Sequence, residues 1–380
     1  MHDKMWWDES MSVKMFVMTH KSFGVPADPI YIPLHVGREG KEDLGYLGDN
    51  TGNNISSKNC YYSELTGLYW VAHNVTDADY FGLCHYRRFF LNEDGSLLTE
   101  RECEDILSSY DVILAKAVYH PKSYYEVYEE AHNIRDLQVT GEVLKRLYPQ
   151  MFPVFEEIVS DKKVYSGNMF VASKKHFMEY AQWLFSIFDV VEKKIDVDYY
   201  DAYHKRVFGF LSEQLLYVWV KSRGFRIFEA PVGLTQEKAE TIELKESLKE
   251  KFAKGDLEAV KDALALFRES MKERPDLMLA ASDISGELAD MFRVLYVCEQ
   301  ELLSGNSGML AITKELPMLV RHYRLLCTLS AGIASGTATA EQEAYYKDSR
   351  ISESLLEIIV NNNPGLKSSR DRLASVAGLL

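Results

Sequence analysis

The sequence predicts an α/β region over residues 1–235 followed by an all-helical region over 236–380. Through residue 232, short β-branched or aromatic runs alternate with longer segments of helical periodicity, the pattern of a largely parallel sheet covered by helices on both faces. Beyond Thr235 the chain turns to Ala, Leu, Glu and Lys, with no convincing strand. The aromatic residues divide the same way: of 46 Phe, Trp and Tyr, 39 precede residue 241 and 7 follow it. Two regions built to different physical specifications are therefore expected.

Residues 13–19 (VKMFVMT) form the first strand, ended by His20, Lys21 and the turn formers Gly24 and Pro26. Leu65, Leu68, Tyr69 and Ala72 recur at i, i+3, i+4 and i+7, which predicts a helix over 64–74 with Ser63 as its N-cap. Residues 80–85 (YFGLCH) and 111–115 (DVILA) read as strands. So does 164–172 (VYSGNMFVA), although Gly167 and Asn168 interrupt it, and a glycine there marks a bulge or the close approach of a ligand. Phe177, Tyr180, Ala181, Leu184 and Phe188 mark the apolar face of the next helix. A further helix over 212–222 stops at Gly224, placed for a left-handed ending, and 226–231 is a closing strand. In the second region, 258–271, 287–303 and 314–329 are amphipathic helices; 330–340 (SAGIASGTATA) reads as a flexible linker, with two shorter helices after it.

Composition excludes several classes. With 43 Lys and Arg against 57 Asp and Glu, the formal charge is −14, so no nucleic-acid partner is expected from phosphate electrostatics. The five cysteines are scattered, odd in number and never spaced as CxxC, which favours reduced thiols over a zinc site or a disulfide framework. No run reaches the roughly 18 apolar residues of a spanning helix. The opening stretch, MHDKMWWDESMSVKMFVMTH, sets acidic residues before a short apolar run and lacks a small-residue cleavage site, so it is not read as a leader. The expectation is a cytoplasmic protein, with peripheral attachment at the inner face of the membrane as the alternative.

In an open α/β sheet, ligands bind beyond the carboxyl ends of the strands. Asp77-Ala78-Asp79 has the form of a DxD metal motif but precedes the strand 80–85, at the wrong end. The right end carries His85-Tyr86-Arg87-Arg88, whose planar guanidinium forks suit a diphosphate or a carboxylate; the competing role is pairing with Glu93 or Asp94. His20 and Lys21 follow the first strand and Lys116 follows 111–115, so three strand ends bring cationic or donor groups to one rim of an acidic protein. The polar loop 49–54, ending at Asn54, either lines that pocket or is an ordinary exposed turn. Glu213, read as lying in the first turn of its helix, either complements the helix dipole or acts as a general base. His132 and Asp136 have an i, i+4 spacing open to metal ligands, though a solvated helix face is the simpler reading.

The segments MTHKSF, YIPLHVG, LGYLGDNTGNNIS, YSELTGLYW, DYFGLCHYRRFF, NMFVASKKHFMEYAQWLF and RVFGFLSEQLL resemble, in that order, a bacterial family of capsular and exopolysaccharide glycosyltransferases long catalogued as a domain of unknown function. The similarity covers residues 13–233, and the helical region resembles nothing known. The resemblance implies a GT-A-like, nucleotide-sugar-binding mixed sheet. It also implies transfer of a hexose, sometimes described as galactofuranose, from a UDP-sugar to a glycan or lipid-linked glycan acceptor.

Where many GT-A enzymes hold Mn or Mg on a DxD, this chain has HYRR, which implies cationic side chains in place of a resident metal. Thr19, His20, Lys21 and Asn54 are then expected on the nucleotide side, and His85, Arg87, Arg88 and Lys116 on the diphosphate. Asn168 matches the family's later Tyr-Asn-Met pattern only in part, because Ser166 and Gly167 precede it. Glu213 is the expected general base. A non-catalytic glycan-binding or assembly protein is the alternative function. Region 236–380 is expected to support the sheet, form a homo-oligomer or recruit a polysaccharide-assembly partner.

Overall fold

A computed structural model describes residues 12–380; the first eleven residues of the stretch read for a leader lie outside the described residues. The chain divides into two compact units, one ending at Thr235 and the other running from Gln236 to Leu380.

The first unit holds strands β1 (Val13–Thr19), β2 (Tyr31–His35), β3 (Leu47–Gly48), β4 (Tyr80–His85), β5 (Arg88–Phe90), β6 (Val112–Ala115), β7 (Val118–Tyr119), β8 (Lys163–Val164), β9 (Phe170–Ser173), β10 (Ile227–Ala230) and β11 (Val232–Leu234). The main sheet runs β10-β6-β9-β4-β1-β2-β3, with β5 bridging β4 and β11. β1 is an inner strand, between β4 and β2. Every one of its residues is buried, with Phe16 and Met18 facing one core and Val13, Met15 and Val17 the other. This is the two-sided burial expected of an inner parallel strand.

The sheet is mixed rather than uniformly parallel. β1, β2, β3 and β4 pair in parallel, as do β6 and β10, but β9 runs antiparallel between β4 and β6. Strand direction follows from the path of the connections, which no local pattern encodes. The reversal matters for the site, because it brings the start of β9 to the rim where β1, β4 and β6 end. The single strand expected over 164–172 is in fact two. β8 pairs with β7 in a separate ribbon, and the break falls where Gly167 and Asn168 adopt φ of +89° and +52°.

Helices α1 (Asn59–Tyr62), α2 (Leu65–Asn74), α3 (Glu100–Ser109), α4 (Tyr124–Ala131), α5 (Ile134–Leu147), α6 (Phe152–Ser160), α7 (Lys174–Val191) and α8 (Val207–Ser222) complete the unit. Two local expectations need correction. Ser63 does not cap α2; with φ of +50° it closes α1, and Glu64 occupies the N-cap position without a side-chain cap. α8 begins at Val207, five residues earlier than its periodicity suggests, because a 3₁₀ turn over His204–Arg206 feeds directly into it. Glu213 therefore lies in the second turn, and the helix-terminus role does not apply. Gly224 does follow α8 with φ of +67°.

The loop 49–54 is a packing device. Asp49 is fully buried and accepts hydrogen bonds from the Gly37 and Arg38 amides (2.9 and 3.1 Å) and from the Ser56 and Thr66 hydroxyls (2.5 and 2.6 Å). Asn54 bonds within its own turn, to the Gly52 carbonyl and the Ser56 amide. An Asp49→Ala substitution strands four donors, two of them backbone amides. The expected loss is about 3 kcal/mol or more in the denaturant unfolding free energy, and Asp49→Asn is expected to recover part of it.

The second unit contains α9 (Ala239–Phe252), α10 (Leu257–Glu273), α11 (Glu287–Leu303), α12 (Leu316–Ser335), α13 (Ala340–Asp348), α14 (Glu353–Asn362) and α15 (Arg370–Ala377) around one apolar core. The linker expected over 330–340 is helical as far as Ser335. Ser330 is buried and donates to the Tyr346 hydroxyl at 3.0 Å, so small residues there serve close packing rather than flexibility. Three helices follow it, not two.

Candidate active site

The carboxyl ends of β1, β4 and β6 and the start of β9 meet at one rim. The β4–β5 hairpin pairs His85 with Arg88 and leaves Tyr86 and Arg87 at the turn. Arg87 is buried there. Arg88 reaches towards Gly167: a Cβ at that glycine would lie 3.0 Å from Arg88 Nη1, and the φ of +89° also suits glycine. Arg88 Nε is buried with no hydrogen-bond partner among the described residues. Asp94 turns to Ser96 instead of the hairpin. A guanidinium this placed, its donors unspent, is an anion receptor in waiting.

Glu213 stands against the same loop and accepts the Gly167 amide at Oε1, 2.8 Å away. Burial pushes its carboxyl up to about 7; the Gly167 amide works against this, the nearby Glu64 carboxylate adds to it, and Arg88 and Arg206 pull it down. Glu64 accepts from Asn168 Nδ2 at 2.5 Å, so two acidic side chains flank the Gly167-Asn168 turn. A carboxyl poised near neutrality beside cationic groups has the properties a general base needs.

Several of the expected site residues make structural contacts at the rim. His85 Nε2 donates to the Gly167 carbonyl at 2.5 Å. Burial lowers the His85 pKa, with Arg88 and Arg87 contributing and Glu64 opposing, so the neutral ring orients the turn. Asn168 is 5 % exposed and fully engaged, donating to Glu64 and to the Gly209 carbonyl and accepting the Ser212 hydroxyl. Thr19 is buried and bonds both the amide and the carbonyl of Lys21. These three, expected on the donor, also shape the rim.

His20 and Lys21 do gather at that rim, on Tyr86. The His20 ring meets it edge-on at 5.3 Å and Lys21 Nζ lies 5.1 Å from its centroid. Lys116 is exposed, its amide bonded to Ala230. Asn54 is held in its own turn and supplies no side chain to the Gly167 turn.

Sequence reasoning missed four residues here. Glu64 belongs to the YSELTGLYW segment and Tyr86 to HYRR, so both lay inside recognised motifs. Arg206 donates from Nε to Ser63 Oγ at 3.0 Å, which ties the start of α8 to the turn before α2. His35 ends β2 beside Thr19, 2 % exposed, with both ring nitrogens lacking a hydrogen-bond partner among the described residues. Its pKa is lowered by burial first and then by Arg38 and Lys41. His35 lies in the YIPLHVG segment, and its local signal was a histidine ending a buried strand.

The metal-directed readings fare differently. Asp77 pairs with buried Lys14 at 2.6 Å, at the opposite end of the sheet. Asp136 is buried and receives the Tyr200 hydroxyl, while His132 stacks on Phe210 at 4.2 Å; the pair is neither a ligand set nor a solvated face. Among the described residues no group of three or more His, Cys, Asp and Glu could hold a metal ion.

The fold and rim define an α/β protein with cationic side chains and a titratable carboxyl at the carboxyl edge of its sheet. The chain belongs to the family described as a domain of unknown function, DUF4422, whose model matches residues 14–224. Its structure is similar to the apo structure of the WbbM bifunctional glycosyltransferase, with a TM-score of 0.56 and 31% sequence identity, covering 60% of this chain and 46% of that one. The chain thus spans under half the length of that protein. No curated protein matches it.

Proposed function

We propose that the protein is a glycosyltransferase that moves a hexosyl group from a UDP-sugar to a hydroxyl of a glycan or lipid-linked glycan, in the cytoplasmic assembly of a capsular polysaccharide or exopolysaccharide. One observation carries the reading: Glu213, held near neutrality by burial, shares the Gly167 turn with an Arg88 whose buried Nε has no hydrogen-bond partner among the described residues. Transfer needs both parts. Fixed positive charge from Arg88, with Arg87 and Lys116, stabilises the departing diphosphate, and Glu213 takes the acceptor proton as the hydroxyl attacks. His20 and Lys21, with Thr19 shaping their turn, serve the nucleotide side. Similarity to a glycosyltransferase at 31% identity supports the same reading. Among the described residues no helix is long and apolar enough to cross a membrane, which accords with a donor taken from the aqueous phase. Region 236–380 is assigned to self-association or recruitment of an assembly partner.

The test is a thermal-shift series with UDP, UDP-galactose, UDP-galactofuranose and UDP-glucose, followed by transfer of labelled sugar to oligosaccharides. At a ligand concentration of 100 Kd, binding to the native state adds about 2.7 kcal/mol, a readily measured rise in Tm. Absence of both shift and transfer with every donor removes the proposal. Activity is expected to survive exhaustive chelation, and strict manganese dependence would overturn the role given to the cationic side chains.

A further inference from the structure

The ribbon of β7 and β8 springs directly from the candidate site, and nothing in the proposed chemistry uses it. β7 begins two residues after Lys116, and Val118 and Tyr119 on it are 50% and 72% exposed. β8 ends at Val164, three residues before Gly167. Lys163 lies four residues before Gly167, four residues span at most about 14 Å of chain, and paired strands lie about 5 Å apart. Tyr119, paired with Lys163 in the ribbon, is therefore within an oligosaccharide's reach of the Gly167 turn that holds Glu213.

The ribbon is also held rigidly. Glu229 on β10 clamps both of its strands at their roots, accepting from Lys163 Nζ at 2.7 Å, from the Tyr165 hydroxyl at 2.5 Å and from the Ala117 amide at 3.4 Å. Tyr165 packs on Tyr217 at 4.6 Å, and Lys163 Nζ lies 5.0 Å from the Tyr165 ring. A two-residue strand pair is too short to order itself, so this buttress is what holds the backbone that carries Tyr119. An exposed, amphipathic aromatic ring on a held backbone, with only two side-chain torsions to fix, makes contact area at low entropy cost, which is what stacking against the apolar face of a sugar requires.

We propose that Tyr119 is an acceptor subsite: it stacks on a sugar of the acceptor chain some units away from the hydroxyl that Glu213 deprotonates. The inference rests on the glycosyltransferase reading and deepens it by making the acceptor an oligosaccharide rather than a monosaccharide. It also makes Glu229 a positioning residue, acting through the ribbon.

The test uses the full chain and a panel of galactose-, glucose- and mannose-terminated tetrasaccharides beside the matching monosaccharides. Tyr119→Ala is expected to raise KM for the preferred tetrasaccharide about tenfold, the equivalent of one aromatic stacking contact. The monosaccharide KM, kcat and the UDP-sugar dissociation constant are expected to stay unchanged, with Tyr119→Phe restoring the tetrasaccharide KM. Glu229→Gln should reproduce part of the effect. Calorimetric binding of the same tetrasaccharides gives a readout that does not depend on turnover. Equal tetrasaccharide affinity in wild type and Tyr119→Ala, an equal loss for monosaccharides, or no tetrasaccharide binding by the wild type overturns the subsite. Failure of UDP-sugar binding would instead strike at the glycosyltransferase reading itself.

Discussion

Glu213→Gln is expected to lower kcat by about 10²- to 10⁴-fold while leaving the UDP-sugar dissociation constant within a factor of two, because the amide keeps the Gly167 hydrogen bond but cannot take a proton. Calorimetry separates the two quantities. Wild-type turnover in the variant would remove Glu213 from the chemistry. The pH profile offers a second check. A base must be ionised to act, so wild-type kcat should climb with pH, level off above about 7 and lose this limb in the variant. Stability should move the opposite way. The unfolded chain gives up this proton near 4.5, whereas the native protein keeps it to about 7, so the native state binds more protons between those values and this group's contribution to stability falls as pH rises. The Tm of Glu213→Gln relative to wild type is therefore expected to increase from pH 5 to pH 7.

Arg88→Ala is expected to weaken UDP binding by 30-fold or more, roughly 2 kcal/mol for a charge-assisted contact in a partly buried site. Arg88→Lys should recover little of this, because an ammonium lacks the planar fork that meets two phosphate oxygens together. The alanine variant should also raise the Glu213 pKa, since Arg88 is one of the groups holding it down. A displaced acid limb with unchanged UDP affinity would leave Arg88 as an electrostatic neighbour of the base and end its assignment to the diphosphate. Because Arg88 Nε has no hydrogen-bond partner among the described residues to lose, the variant is expected to fold with a near-normal Tm.

The local signals in the sequence were of unequal strength. β1 and β4 were legible to the residue, since continuous β-branched and aromatic runs bounded by turn formers have few other uses. α11 was equally plain from its amphipathic period. The helices between residues 100 and 160 went unread, although Thr99 with Glu102 and Ser123 with Glu126 form capping boxes at the starts of α3 and α4. The end of α12 was misread because small residues that permit tight packing have the same composition as a flexible linker.

By itself the sequence determined the α/β character of the first unit and the helical character of the second. It also put cationic residues at the ends of buried strands and a carboxylate at Glu213. These follow from composition and periodicity, which act over a few residues. Only the tertiary structure decided which of those groups gather at the Gly167 turn. Glu64 and Asn168 meet across 104 residues of sequence, and Gly167 and Glu213 across 46, both because β9 runs against its neighbours and brings its start to the rim. That closure set Thr19, His85 and Asn168 to shaping the rim, left Arg88 Nε without a hydrogen-bond partner among the described residues and packed Glu213 half-buried against the Gly167 turn. A side chain's protonation state and free donors depend on what the whole chain packs around it, and no local pattern records that.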